Sequence, residues 1–345
     1  MITVALYGAI ADIMKTRILH FVVLFPLLMS LAACQNAAPG GKTASRKSIP
    51  KIDQVAPVPA GLTSHLIYHE GRERYYLLFK PANLAAEQPA PVVMAFHGGG
   101  GIPESMVDMS GFNSLAEHYG FYVVYPSGSG STPRRLFWNI LLSETYATVN
   151  DVDDLGFVSR VLDDVAAQIA IDTNRLFAAG FSQGGMLCYR MACDASWSQR
   201  LAAIATVGAT MTVSPSSCQA SRPVPVISFH GKQDEFSRYS GGIAKKAPRN
   251  DQVARPGVAE SIRYWVGKGG LVNQPSASGA RGTAQMEQFG PDDSGFEVVS
   301  WVMEDGGHTW PGSHANLPEW MMGKVNRDID ASVLIWDFFS RHPLN

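Results

Sequence analysis

The sequence predicts an α/β fold, a doubly wound and mostly parallel sheet with helices on both faces, on three observations. Short apolar runs recur at 91–96, 121–125, 175–179 and 224–229, each followed by Gly, Pro or His, as expected of strands buried on both faces. Helical patterns separate them, and within 154–169 the residues Phe157, Val161, Leu162, Val165 and Ile169 share one face. Such alternation of strand and helix selects a parallel sheet covered on both sides. The other elements fit that frame. Residues 65–68 and 72–79 flank Glu70-Gly71 and read as a hairpin at the sheet edge. Residues 202–207 and 296–303 read as further strands. The segment 328–340, with Ile329, Val333, Ile335, Trp336 and Phe339, reads as a closing amphipathic helix. Ligands of such sheets bind outside the carboxyl ends of the strands.

The chain has 345 residues, 46% hydrophobic and 17% charged, enough for one large core, and a single domain over 61–345 is expected. The net charge is −2 with no long basic run, so nucleic acid is not an expected partner, nor is direct adsorption to an anionic membrane. A monomer is expected.

Lys15, Thr16 and Arg17 precede an apolar run at 18–31, too short to span a bilayer comfortably, so 1–33 reads as a secretory leader, with Met14 as its natural start. The run ends in Leu31-Ala32-Ala33-Cys34, which resembles the lipobox of bacterial lipoproteins. That resemblance implies lipid attachment at Cys34. With Gln35 rather than Asp following, outer-membrane anchoring is expected in a Gram-negative host; the alternative is ordinary cleavage and a secreted or periplasmic protein. Residues 34–60 are rich in Ala, Pro, Gly, Ser and Lys and read as a flexible tether. An extracytoplasmic address permits disulfides. Cys188 falls mid-helix among apolar neighbours and reads as core. Cys193 and Cys218, at a helix end and in a Ser/Pro loop, form the expected pair, three free thiols being the alternative.

Gly180-Phe181-Ser182-Gln183-Gly184 follows a strand and opens a helix, the setting of a nucleophile elbow. The serine sits on a strained turn where side chains at Gly180 or Gly184 would collide with backbone, and the helix start aims free N–H groups at developing negative charge. A serine hydroxyl needs a base. Of the nine histidines, His308 follows the last predicted strand and satisfies the order serine, acid, histidine, with His314 as its rival. His97 and His230 end strands and are expected to shape loops by hydrogen bonding. Asp234 follows the strand at 224–229 and is the expected acid, with Glu235 and Asp251 as alternatives; Asp153 and Asp154 read as openers of the helix after them. His97-Gly98-Gly99-Gly100-Gly101 supplies an oxyanion loop, whose Gly99 N–H acts with the Gln183 N–H, Gly98 and Gly100 being alternatives. No H-E-x-x-H, paired C-x-x-C, P-loop or dinucleotide fingerprint opens a suitable helix, so neither metal nor cofactor is expected.

These residues resemble the α/β-hydrolase esterases grouped with polyhydroxybutyrate depolymerases and feruloyl esterases. The matching stretches are His97–Gly100, Gly111-Phe112-Asn113 through Gly128, Asp153–Phe157, the elbow, His230–Asp234, Gly307–Gly312 and Ile335–Phe339, together covering the chain from about Ser64 onward. The resemblance implies a secreted, cofactor-free enzyme acting on small or oligomeric carboxylic esters: hydroxyalkanoate oligomers, feruloylated or acetylated sugars, or simple esters. Gln183 replaces a frequent Asn, and Phe236-Ser237-Arg238 replaces a segment apolar in many relatives. Trp310 and Trp138 are expected to wall the substrate pocket, the alternative being that they are core. A serine peptidase on the same fold and a non-catalytic envelope-binding protein are the other functional readings.

Overall fold

The computed structural model describes residues 61–85, 87–246, 252–315 and 318–344. The leader, the tether, Cys34 and Asp251 lie outside the described residues. Twelve strands occur among the described residues: β1 (Leu62–His69), β2 (Arg72–Phe79), β3 (Ala90–Phe96), β4 (Tyr122–Pro126), β5 (Ser129–Thr132), β6 (Arg135–Phe137), β7 (Ile171–Phe181), β8 (Ala203–Val207), β9 (Val226–Gly231), β10 (Ala277–Arg281), β11 (Ala284–Phe289) and β12 (Val298–Met303). Ten form one sheet in the order β1-β2-β4-β3-β7-β8-β9-β12-β11-β10, while β5 and β6 pair separately. The six strands from β4 to β12 in that order run parallel; antiparallel hairpins extend the sheet at both edges.

The side chains of β3 show why both faces must be covered. Val92, Met94 and Phe96 enter one core, which also holds Phe157, Val161, Leu162 and Val165 of helix Asp154–Ala166. Val93 and Ala95 enter the other, shared with Ile335, Trp336, Phe338 and Phe339 of helix Ala331–Ser340. A period of two along a fully buried strand thus feeds two helical layers. The closing helix starts at Ala331 rather than at 328 because Asp330 caps it, accepting from the N–H groups of Ser332 and Val333. The hairpin β10–β11 has no counterpart in the sequence reading. Every residue of β10 is exposed, so no apolar alternation marks it.

Helix Gln183–Ala192 packs behind β7 and β8, and its end is tied to the loop after β8 by a disulfide between Cys193 and Cys218. Cys188 is free and buried.

Candidate active site

Strand β7 delivers Ser182 to the carboxyl end of the sheet at φ 52° and ψ −119°, a backbone conformation costly for a residue with a side chain. Its neighbours enforce that turn. A Cβ on Gly180 would lie 2.2 Å from the Gly184 carbonyl carbon, and one on Gly184 would lie 2.2 Å from the Phe96 carbonyl oxygen. Only hydrogen fits at either position, so the helix can start flush against β3. The Ser182 N–H donates to the Val207 carbonyl at 2.8 Å, which fastens the elbow to the end of β8.

The acid and the base arrive on the two loops that follow β9 and β12. These lie backbone to backbone: the Gln233 N–H donates to the Gly306 carbonyl at 3.0 Å and the Lys232 N–H to Met303 at 2.9 Å. Asp234 accepts from the N–H groups of Phe236 (2.8 Å) and Ser237 (2.7 Å) through Oδ1. Its Oδ2 lies 2.6 Å from His308 Nδ1. Burial pushes the Asp234 carboxyl pKa up, but His308, His230 and the Ser237 N–H outweigh it and hold the group below the usual carboxylate range. It is therefore a carboxylate, able to fix the proton of His308 on Nδ1 and leave Nε2 as the basic nitrogen. The His308 ring lies between Phe181 and Phe236, at centroid distances of 4.8 and 5.2 Å. A Cβ on Gly208, the residue after the carbonyl that holds Ser182, would lie 3.1 Å from His308 Nδ1. The structure thus brings Ser182, Asp234 and His308 to one end of the sheet. His314 is exposed and lines a different depression, with Trp310 and Ser313. Glu235 turns away to Lys245 and Lys246.

A cleft of about 520 Å³ opens over Ser182, with Gly99 and Gln183 in its lining. Of the three loop glycines considered as oxyanion donors, Gly100 is already engaged, its N–H donating to Leu136 at 2.6 Å. Gly99 lines the cleft beside Gln183, whose N–H belongs to the first helical turn and lacks a helical acceptor. His97 secures this loop. Its Nε2 accepts from the Gly128 N–H at 2.9 Å, so the proton sits on Nδ1, which donates to the Gly98 carbonyl at 2.8 Å. His230 likewise braces the acid loop, donating to Ser237 at 2.6 Å.

Comparisons with known proteins bear on the fold and the class of activity. A family model described as alpha/beta hydrolase fold matches residues 91–246. The chain is 26% identical to the putative esterase NocK of Nocardia uniformis subsp. tsuyamanensis, over 90% of this chain and 95% of that one. It is 25% identical to a bifunctional acetylxylan esterase/xylanase of Neocallimastix patriciarum, over 79% of this chain but 34% of that protein. It is 23% identical to feruloyl esterase B of Piromyces equi, over 66% of this chain and 41% of that protein. The chain therefore spans well under half the length of the latter two. An acetyl xylan esterase from Aspergillus awamori superimposes with a TM-score of 0.51 at 16% identity, covering 70% of this chain and 92% of that one, a likeness of fold. The chain is an esterase with the α/β-hydrolase fold.

Two expectations about the esterase's pocket need correction. Trp138 and Trp310 do not line the Ser182 cleft. Trp138 is fully buried beneath the oxyanion loop, its Nε1–H donating to the His97 carbonyl at 2.8 Å. Trp310 is buried against Phe112 and donates to Ser332 Oγ at 2.9 Å. Each indole N–H finds a buried acceptor, which makes a large aromatic tolerable in the core. The esterase's cleft is walled instead by Phe137, Tyr146, Met186 and Phe236, with Arg135 and Lys246. Of these, Phe137 adjoins the expected Trp138, and Phe236 lies in the stretch singled out after Asp234.

The sequence reading also missed a buried ion pair under the site. Asp154 does more than open its helix: Asp153 caps it, while Asp154 pairs with Arg74 at 2.7 Å and accepts from the Asn139 N–H at 2.6 Å. Arg74 follows Arg72 and Glu73 at the start of β2, and nothing in that charged run marks the third residue as the buried one. Among the described residues, His69, Glu70 and Asp153 could offer a cation three ligand atoms within 4.8 Å of one another. None of the three lines the Ser182 cleft.

Proposed function

We propose that the esterase cleaves carboxylic esters through an acyl-enzyme on Ser182, with His308 as proton shuttle and Asp234 as its orienting partner. The observation that carries this reading is the 2.6 Å contact between Asp234 and His308 Nδ1, with the His308 ring 4.8 Å from that of Phe181, the residue before a serine held on a strained elbow. His308 Nε2 takes the Ser182 proton as Oγ attacks the ester carbonyl. The Gly99 and Gln183 N–H groups stabilise the oxyanion. The alcohol leaves with the proton from Nε2, and the same nitrogen then activates water to release the acid. The names of the relatives favour acetyl or feruloyl esters of sugars over hydroxyalkanoate oligomers, and no step requires a cofactor.

Turnover of aryl esters by folded Ser182→Ala, His308→Ala and the double variant tests this reading. Each single variant should lose on the order of 10⁴-fold in kcat, and the double variant little more, because the pair acts as a unit. Parent-rate turnover by folded Ser182→Ala would refute it.

We further propose an extracytoplasmic address through lipidated Cys34, a reading supported by the leader pattern and compatible with the Cys193–Cys218 disulfide. Cys34→Ser should move the protein from the membrane to the soluble fraction. Unchanged membrane retention would defeat this proposal.

A further inference from the structure

We infer that the cleft selects esters bearing a carboxylate or similar anion near the scissile bond, and that Arg135 reads that charge; this rests on the esterase reading of the same cleft. The lining around Ser182 includes three cationic side chains, Arg135, Lys246 and Arg255, against the single carboxylate of Glu144. Two of the cations have structural employment. Lys246 Nζ lies 3.1 Å from Glu235 and donates to the Met321 carbonyl at 2.6 Å, and Arg255 donates to the Leu142 carbonyl at 3.3 Å. Arg135 is exposed, and no carboxylate pairs with it among the described residues.

Its position is fixed rather than incidental. Arg135 belongs to β6, which is tied to the oxyanion loop on either side of Gly100: the Gly100 N–H donates to Leu136 (2.6 Å) and the Leu136 N–H to Gly101 (3.2 Å). The Arg135 stem packs near Gly100, and its guanidinium lies 5.7 Å from the Phe137 ring centroid. Its place over an aromatic face restrains the guanidinium within the cleft lining, so less order remains to be imposed when a ligand arrives. A planar fork of N–H donors matches a carboxylate, and protein walls around a cleft concentrate the field of an unpaired charge.

Two matched ester pairs test this. The para-nitrophenyl half ester of glutaric acid against para-nitrophenyl valerate places the charge on the acyl side. The para-acetoxybenzoate anion against para-acetoxybenzamide places it on the alcohol side. In one pair, kcat/KM should favour the anion about 10-fold at low salt and fall toward parity as salt screens the charge. Arg135→Gln should collapse that ratio, and Arg135→Lys should keep most of it. An enzyme that turns over the neutral esters yet shows no anion preference in either pair overturns the inference alone, as does a preference unchanged in Arg135→Gln. Failure on every ester, neutral ones included, overturns the esterase mechanism and this inference with it.

Discussion

Protonating His97 should unlatch the loop that carries the oxyanion donors. The ring is 1% exposed, and its Nε2 accepts from the Gly128 N–H, which requires the neutral form. Burial, reinforced by nearby Arg74 and only partly opposed by the Gly98 carbonyl, pushes its pKa down from 6.5 to about 4. The unfolded chain therefore takes up this proton below pH 6.5, while the folded chain resists until about pH 4. The contribution to stability is complete above 6.5, declines as pH falls, and is lost near 4. At roughly 1.4 kcal/mol per unit, the interval from 6.5 to about pH 5 costs about 2 kcal/mol, and the whole window about 3 kcal/mol. That is a visible fraction of a stability of about 5–15 kcal/mol. His230 is also shifted down by burial and titrates with the same sign, so the measurement must be differential. Urea unfolding at about pH 8 and about pH 5, for the parent and for His97→Gln, isolates the term. The parent should lose about 2 kcal/mol more than the variant between those conditions. Asp234, also held low, is lost only below the carboxylate range and does not enter. Equal losses for parent and variant would refute the argument.

The buried pair beneath the site should be costly to break from one side: Arg74→Met strands Asp154 and should lower stability by about 3–5 kcal/mol, read by urea unfolding near neutral pH. Adding Asp154→Leu should recover part of that loss, whereas no recovery would mean that Arg74 acts chiefly through its packing on Phe157. The disulfide closes a loop with a sequence separation of 25, so Cys193→Ser with Cys218→Ser should cost roughly 3 kcal/mol. An unchanged urea midpoint in the double variant would show that the loop is equally ordered without it.

Legibility differed sharply between backbone-determined and contact-determined features. The parallel strands were readable because burial on both faces leaves a continuous apolar run, and the elbow because two glycines flank one serine between strand and helix. Strand β10 was not, since an exposed edge strand carries no apolar alternation. Trp138 and Trp310 were misread for a related reason. A tryptophan near a catalytic motif in sequence can face the cleft or lie beneath it, and only the partner of its indole N–H decides between them. Arg135 and Lys246 went unnoticed because isolated charges in loops and short strands ordinarily signal solvent.

What lies beneath the oxyanion loop explains why those contacts matter for chemistry. Arg74 donates to the Ser127 carbonyl at 2.6 Å and pairs with Asp154, which in turn holds the Asn139 N–H. Trp138, next to Asn139, donates to the carbonyl of His97, and His97 grips Gly128, next to Ser127. The loop bearing Gly99 is thus fastened from below by a closed circuit of charged and hydrogen-bonded groups, drawn from β2, the end of β3, the loops that follow β4 and β6, and the first residue of helix Asp154–Ala166. Stabilising an oxyanion by backbone N–H groups works only if they need not reorganise when charge develops. A glycine run would otherwise be the most mobile part of such a site. Weakening the circuit at Arg74 should therefore reduce kcat for esters more than it raises KM, even at temperatures where the variant remains folded. A rise in KM with kcat unchanged would place the circuit's role in substrate binding, and unchanged kcat and KM in the folded variant would confine it to stability.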